Sequence, residues 1–121
     1  MGGVLDVLAR RPDTAGLEIA LFGASTGAAA ALVVAADRPD RVVSVVSRGG
    51  RPDLAGEALR RVRAPVLLIV GGADTAVLAM NRAACDALPN ARIEVVPGAT
   101  HLFEEPGAME HVVDAAARWF G

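Results

Sequence analysis

The 121-residue sequence contains no lysine and no tyrosine, and aromatic residues make up only 3% of it. All twelve basic residues are arginine, which we attribute to the base composition of the coding sequence rather than to function. Few aromatic side chains are available to stack on bases, and the formal net charge is -2. This composition argues against a nucleic-acid-binding protein and predicts no strong attraction to an anionic membrane.

The sequence also lacks a second cysteine and any apolar run long enough to span a membrane. Cys85 stands alone, so no intrachain disulfide can form and a reducing compartment is expected. No apolar stretch reaches about 18 residues, and the first residues carry an early Asp6 and no apolar core of a signal peptide. The sequence therefore predicts a cytoplasmic protein without a membrane partner. Its hydrophobic content of 53% is sufficient for one packed domain over residues 1–121.

Short apolar segments alternate with helical segments along the chain. The second predicted strand, at 42–46, is a β-branched run that is apolar on both faces except for Ser44, which is typical of a parallel sheet covered by helices on both sides. This alternation predicts an α/β fold with three layers, α-β-α, around a four-stranded parallel sheet. We predict strands at 17–22, 42–46, 66–70 and 92–96, helices at 3–10, 26–36, 75–88 and 105–120, and one or two helical turns at 54–62.

Two of the predicted helices carry specific expectations about burial. Helix 26–36 is apolar nearly all round, which predicts that it is buried on every side. The last helix repeats apolar residues at helical spacing, which predicts a core-facing stripe. Its members are Met109, Val112, Val113, Ala116 and Phe120.

A G-x-S-x-G motif, Gly23-Ala24-Ser25-Thr26-Gly27, joins the first predicted strand to the helix that follows. In this strand–turn–helix setting, a sharp turn exposes the serine hydroxyl at the end of the sheet. Gly23 and Gly27 have no Cβ, so strand and helix can approach closely on either side of Ser25.

Asp74 and His101 each follow a later predicted strand, so both are expected at the same sheet edge as Ser25. A serine hydroxyl needs a base to accept its proton, and an aspartate orients a histidine for that task. The order Ser25, Asp74, His101 is the order found in α/β-hydrolases. The backbone N–H of Thr26, at the start of the helix, is the candidate oxyanion donor.

Each of these residues also has a simpler interpretation. Ser25 and Asp74 both precede a helix and could serve only as N-caps. His101 could be a solvent-exposed loop residue, whereas His111, inside the last predicted helix, is not a plausible base. The sequence contains no dinucleotide or P-loop motif and no zinc-ligand spacing, so no cofactor and no metal are expected.

Three segments resemble the α/β-hydrolase superfamily, and within it the dienelactone hydrolase-like branch: 21–28, 67–74 and 97–103. The resemblance covers nearly the whole chain from about residue 15, and it is strongest to the hydrolase-like domain that some bacterial proteins carry fused to a phosphoribosyltransferase domain. It aligns Ser25 with the nucleophile, Asp74 with the acid and His101 with the base. Dienelactone hydrolases themselves carry a cysteine nucleophile, so a serine implies hydrolysis of a small ester or other acyl compound.

The resemblance also implies that the chain corresponds to the C-terminal half of a hydrolase fold, a truncated α/β-hydrolase fold without the leading strands and the loop that gives the second oxyanion donor. Strand 17–22 is then expected at an open sheet edge, and an unpaired apolar edge favours pairing with another chain. We expect a homodimer formed partly through Leu17–Phe22. Three functions remain open: a serine hydrolase of reduced activity, a non-catalytic dimerisation or interaction unit, and a fragment of a longer hydrolase-like protein.

Overall fold

The computed structural model describes residues 4–10 by their backbone, and residues 18–100 and 103–120 in full. These residues form five strands, three α-helices and one 3₁₀ segment, and from the second strand onward strands and helical segments alternate. The strands are β1 (Val4–Arg10), β2 (Glu18–Ala24), β3 (Val42–Arg48), β4 (Val66–Gly71) and β5 (Ala91–Val96). The helices are α1 (Thr26–Asp37), α2 (Thr75–Ala87) and α3 (Ala108–Phe120), and the 3₁₀ segment is Pro52–Arg61.

The sheet has the order β1-β2-β3-β4-β5, and β2 to β5 are mutually parallel. The predicted four-stranded parallel sheet with helices on both faces is therefore confirmed. Val66 to Val70 in β4 are fully or almost fully buried, as expected for a central parallel strand. Because the four parallel strands point the same way, their carboxyl ends lie along one edge of the sheet.

β1 corrects the prediction of a helix at 3–10. This segment is a strand that runs antiparallel to β2, with Val4 opposite Ala24 and Arg10 opposite Glu18. A segment of seven residues is too short to be a stable helix on its own. The edge of β2 offers it a complete row of backbone hydrogen-bonding groups instead.

The same pairing corrects the expectation that strand 17–22 has an open edge. β2 pairs with β1 on one side and with β3 on the other, and Leu17 lies outside the described residues. The edge on this side of the described sheet belongs to β1. The expected homodimer has no support from an unpaired β2 and stays a prediction.

Two clusters of buried side chains separate the three layers. One lies between the sheet and the layer formed by α1, the 3₁₀ segment and α2, and it includes Leu21, Leu32 and Leu68. The other lies between the opposite face and α3, and it includes Val46, Ile69 and Val112.

Two expectations about helix burial were wrong in detail. α1 buries one face, but Val33 and Val34 are 38% and 37% exposed on its outer side. In α3, Met109 and Val113 are exposed, and the buried residues are Ala108, Val112, Ala115 and Ala116. The buried face of α3 therefore consists of three alanines and Val112, and Trp119 and Phe120 are partly buried against the same cluster.

Candidate functional site

Ser25 is the single residue between β2 and α1, and its backbone is strained. Its φ and ψ angles are 52° and -124°, a conformation that residues other than glycine rarely adopt. Such a conformation typically costs about 1–3 kcal/mol and persists only where the surrounding structure enforces it. The Ser25 side chain makes no capping hydrogen bond to α1. The interpretation of Ser25 as an ordinary N-cap therefore lacks the hydrogen bond that defines a cap.

The strain at Ser25 arises where β2 and α1 almost touch. A Cβ atom on Gly23 would lie 2.6 Å from the carbonyl oxygen of Gly27 and 2.7 Å from Cα of Ala28. No side chain fits at those distances, so only glycine allows this approach at position 23. Thr26 is the first residue of α1, and its backbone N–H belongs to the first turn, which has no acceptor within the helix.

Asp74 occupies the corresponding position between β4 and α2, in a relaxed conformation with φ of -91° and ψ of 71°. Its backbone carbonyl accepts a hydrogen bond from the N–H of Leu78 (2.9 Å), and its N–H donates to the carbonyl of Gly71 (3.1 Å). The Asp74 carboxylate makes no capping hydrogen bond to α2. As with Ser25, the capping interpretation lacks its defining contact.

The turn that carries Asp74 is joined to the loop after β5. The N–H of Gly72 donates to the carbonyl of Val96 (2.8 Å), and the N–H of Ala73 donates to the carbonyl of Ala99 (2.9 Å). A Cβ on Gly71 would collide with the carbonyl of Ala99 and would lie 2.9 Å from that of Thr100. These contacts place the Asp74 turn directly against the residues that precede position 101.

His101 and Leu102 lie outside the described residues, but Thr100 on one side and Phe103 on the other make defined contacts. The Glu105 carboxylate accepts hydrogen bonds from the Thr100 backbone N–H (3.0 Å) and hydroxyl (2.8 Å). Those hydrogen bonds lower the pKa of Glu105, because they stabilise its charged form. Phe103 is buried, has a positive φ of 57°, and donates from its N–H to the Thr100 carbonyl (3.1 Å).

Ser25, Thr26 and Asp74 therefore share one sheet edge, together with Thr100, the residue before His101. Ser25 follows β2 and Asp74 follows β4, with β3 between them. Neighbouring strands lie about 4.8 Å apart, so these two turns are separated by roughly 10 Å.

β3 contributes a residue to this edge that the motif analysis missed. Arg48 ends the strand, its carbonyl accepts the N–H of Ser25 (3.4 Å), and its guanidinium lies 5.6 Å from the centroid of the Phe103 ring. That distance is within the range of a cation–π contact. An arginine at the carboxyl end of a strand rich in valine is the signal in the sequence that identifies such a position.

Two other side chains with possible catalytic chemistry, Cys85 and His111, lie away from this edge of the sheet. Cys85, a residue of α2, packs partly buried against the core, and its burial, with the nearby Asp86 charge, raises the pKa of the thiol. A raised pKa disfavours the thiolate that nucleophilic chemistry requires. His111 lies on α3, and its Nε2 is 2.7 Å from Oε2 of Glu94 in β5. This pairing places His111 between helix and sheet rather than at the strand ends.

Within the described ranges, no three His, Cys, Asp or Glu side chains are grouped so that they could hold a metal ion. The helices found there are all too short or too polar to cross a lipid bilayer.

Comparison with known proteins agrees with this architecture. The family model described as "Dienelactone hydrolase family" matches residues 3–120. The chain belongs to the dienelactone hydrolase family. A dienelactone hydrolase from Anabaena variabilis, known from a crystal structure, has 59% sequence identity to this chain. The match has a TM-score of 0.80 and covers 82% of this chain and 46% of the Anabaena chain. A monoacylglycerol lipase from Paleococcus ferrophilus shares the fold. Its sequence is 21% identical, and the match has a TM-score of 0.73 and covers 84% of this chain and 67% of the lipase chain.

Curated relatives in two strains of Mycobacterium tuberculosis have names that assign them provisionally to the phosphoribosyl transferases. Each is 60% identical over 114 residues, which is 93% of this chain and 26% of the relative. The chain therefore spans about a quarter of the length of these relatives, and about half of the Anabaena dienelactone hydrolase.

Proposed function

We propose that this member of the dienelactone hydrolase family is a serine hydrolase that acts on a small ester or related acyl compound. Ser25 is the nucleophile, His101 the general base and Asp74 the residue that orients the base. The strained backbone of Ser25 is the observation that carries the proposal. Strain of this kind has no value for folding and is typical of a nucleophile held at the tip of a strand–turn–helix motif.

The chemistry follows from these assignments. The Ser25 hydroxyl attacks the acyl carbonyl while His101 accepts its proton, and a tetrahedral oxyanion forms beside the N–H of Thr26. His101 then protonates the departing alcohol, and an acyl-enzyme remains on Ser25. A water molecule, deprotonated by His101, then attacks that ester, and His101 returns the proton to the departing Ser25 oxygen as the acid is released. Asp74 keeps the imidazole in the correct tautomer and stabilises its charged form.

The neighbourhood of the Asp74 turn supports the pairing of Asp74 with His101. Hydrogen bonds from Gly72 and Ala73 reach the loop that leads to position 101. The separation of roughly 10 Å between the β2 and β4 ends leaves room for an imidazole between a serine and an aspartate. The second oxyanion donor is not assigned to any residue of this chain.

The experiment is labelling of the protein with a fluorophosphonate probe, followed by mass mapping, on the wild type and on His101→Ala. We expect stoichiometric modification of Ser25 in the wild type and its loss in the variant. His111→Ala, which removes the other histidine of the chain, is the matched control and should be labelled like the wild type. A folded wild-type protein that is not labelled would contradict the proposal.

Absence of labelling would favour the second function, a non-catalytic interaction unit. The apolar side chains exposed on α3, Met109 and Val113, favour a partner on that face. Size-exclusion chromatography at micromolar concentration tests the expected homodimer, and a clean monomer would contradict it.

A further inference from the structure

Asn81 is a fully buried polar side chain near the candidate site, and the proposed chemistry does not use it. It lies on α2, seven residues after Asp74, and is 0% exposed. Its Nδ2 donates to the carbonyl of Val77 in its own helix (2.8 Å) and to the carbonyl of Gly50 (3.1 Å). The second bond connects α2 to the loop that follows β3.

Gly50 lies directly behind the nucleophile turn. A Cβ at position 50 would collide with Cβ of Ala28 and Oγ of Ser47, so this backbone is pressed against the first turn of α1. The next residue, Arg51, donates its N–H to the carbonyl of Ser25 (3.1 Å). A continuous path of hydrogen bonds and peptide bonds therefore leads from Asn81 to the strained residue.

The surroundings of the Asn81 side-chain oxygen indicate that the amide nitrogen, Nδ2, is the functionally important group. Its Oδ1 is buried and has no hydrogen-bond donor among the described residues. A buried acceptor without a partner lowers stability, and an apolar side chain of the same volume would avoid that cost. An asparagine at this position is thus a poor choice for packing alone and a good choice for holding the Gly50 carbonyl.

We propose that Asn81 is a positioning residue that holds the Ser25 turn in its reactive conformation through Gly50 and Arg51. Because α2 begins at Thr75, directly after Asp74, the same side chain fixes the distance between the turn of the nucleophile and the turn of the acid. This inference rests on the proposed serine hydrolase function, and its test separates the two.

The test compares Asn81→Leu, which removes the donor and keeps the volume, with Leu88→Ala, a cavity at the buried end of α2. Ser25 labelling is measured against fluorophosphonate concentration, with thermal unfolding as the measure of stability. We expect the maximum labelling rate of Asn81→Leu to fall about 10- to 100-fold, since small displacements of a reacting group have effects of that size. The half-saturating probe concentration should stay the same, because probe binding is not altered. Leu88→Ala should lose stability and keep the wild-type rate.

A second variant and a second measurement keep the outcome decisive. Asn81→Ser retains a donor for Val77 within the helix but cannot reach Gly50, so it should label as slowly as Asn81→Leu. Amide exchange at Arg51 should become faster in both Asn81 variants and not in Leu88→Ala, because its bond to Ser25 loosens. Wild-type labelling rates in both Asn81 variants, or an equal loss in Leu88→Ala, would overturn the inference. If the wild type is not labelled, the proposed function fails, and exchange at Arg51 alone decides whether Asn81 holds the turn.

Discussion

The turns at Ser25 and Asp74 look alike in the sequence and differ in the way they are held. Each joins a parallel strand to a helix, and each places a polar residue before the helix without a capping hydrogen bond. Ser25 is forced into a positive φ, whereas Asp74 adopts ordinary angles. The first turn is determined by the close approach of β2 and α1 at Gly23, and the second by hydrogen bonds to the loop after β5. The difference shows that a nucleophile position can be built locally, whereas the acid position depends on a neighbouring loop.

The largest expected effect is that of a substitution at the Asp74 turn on the rate of Ser25 labelling. Asp74→Asn should lower the rate of Ser25 labelling by roughly 10³- to 10⁴-fold, because asparagine favours the wrong histidine tautomer. The melting temperature should change little, since asparagine has the same shape and suits the start of a helix. Asp86→Asn, an exposed change on the same helix, is the control and should leave the labelling rate unchanged. Equal rates for the two variants would remove Asp74 from the site.

The next largest effect is on the free energy of unfolding, and it should follow substitution of a glycine at either the Ser25 turn or the Asp74 turn. Gly23→Ala and Gly71→Ala each add a Cβ where backbone atoms already lie 2.6–2.9 Å away, at Gly27 and Ala28 in one turn and at Ala99 and Thr100 in the other. We expect each variant to lose about 3 kcal/mol or more of unfolding free energy in urea, because backbone must move.

Gly56→Ala is the matched control for both glycine variants. Gly56 has a φ of 56°, but no atom lies within 4 Å of its added Cβ. Its substitution should cost about 1–3 kcal/mol from conformational strain alone, without the further cost of moving backbone. Equal losses for the three variants would mean that close approach does not shape either turn.

A smaller effect isolates the strain at Ser25. Ser25→Gly and Ser25→Ala both remove the nucleophile, but only glycine accepts a φ of 52° without strain. Ser25→Gly should therefore be about 1 kcal/mol more stable than Ser25→Ala in chemical denaturation. The same two changes at Thr26, inside the helix, should show the opposite order, because glycine weakens a helix relative to alanine. Identical order at both positions would argue against a strained Ser25.

The smallest effect concerns the loop that precedes His101. The folded-state pKa of Glu105 is lowered by its hydrogen bonds from Thr100, so this carboxylate stabilises the fold above its unfolded pKa, near 4.5. That stabilisation is lost as the pH falls through the lower folded-state pKa. The difference in melting temperature between wild type and Glu105→Gln should be full at pH 6 and shrink below about pH 4.5. Glu104→Gln, which removes the neighbouring exposed carboxylate, is the control, and a pH-independent difference for Glu105→Gln would refute the assignment.

The parallel sheet and the order of its elements could be predicted because short, mainly apolar strands alternate with helical segments along the chain. The helices predicted at 26–36 and 75–88 agree with the bounds of α1 and α2 to within one residue. β1 could not be predicted, because its spacing of Val4, Leu5 and Leu8 also fits a helix, and only the edge of β2 decides between them. The buried face of α3 could be predicted only in part: Val112 and Ala116 are buried as expected, whereas Met109 and Val113 are exposed.

The sequence by itself determined that Ser25 stands in a glycine-flanked turn and that Asp74 and His101 follow later strands of a parallel sheet. Those facts are local, since they depend on missing Cβ atoms and on the alternation of apolar and polar residues. Only the tertiary structure decided how the turns are held: Gly71 against Ala99, Glu105 on Thr100 and Asn81 on Gly50. Each of these contacts joins residues from different elements, and a hydrogen bond between distant segments leaves no periodic signal in the chain.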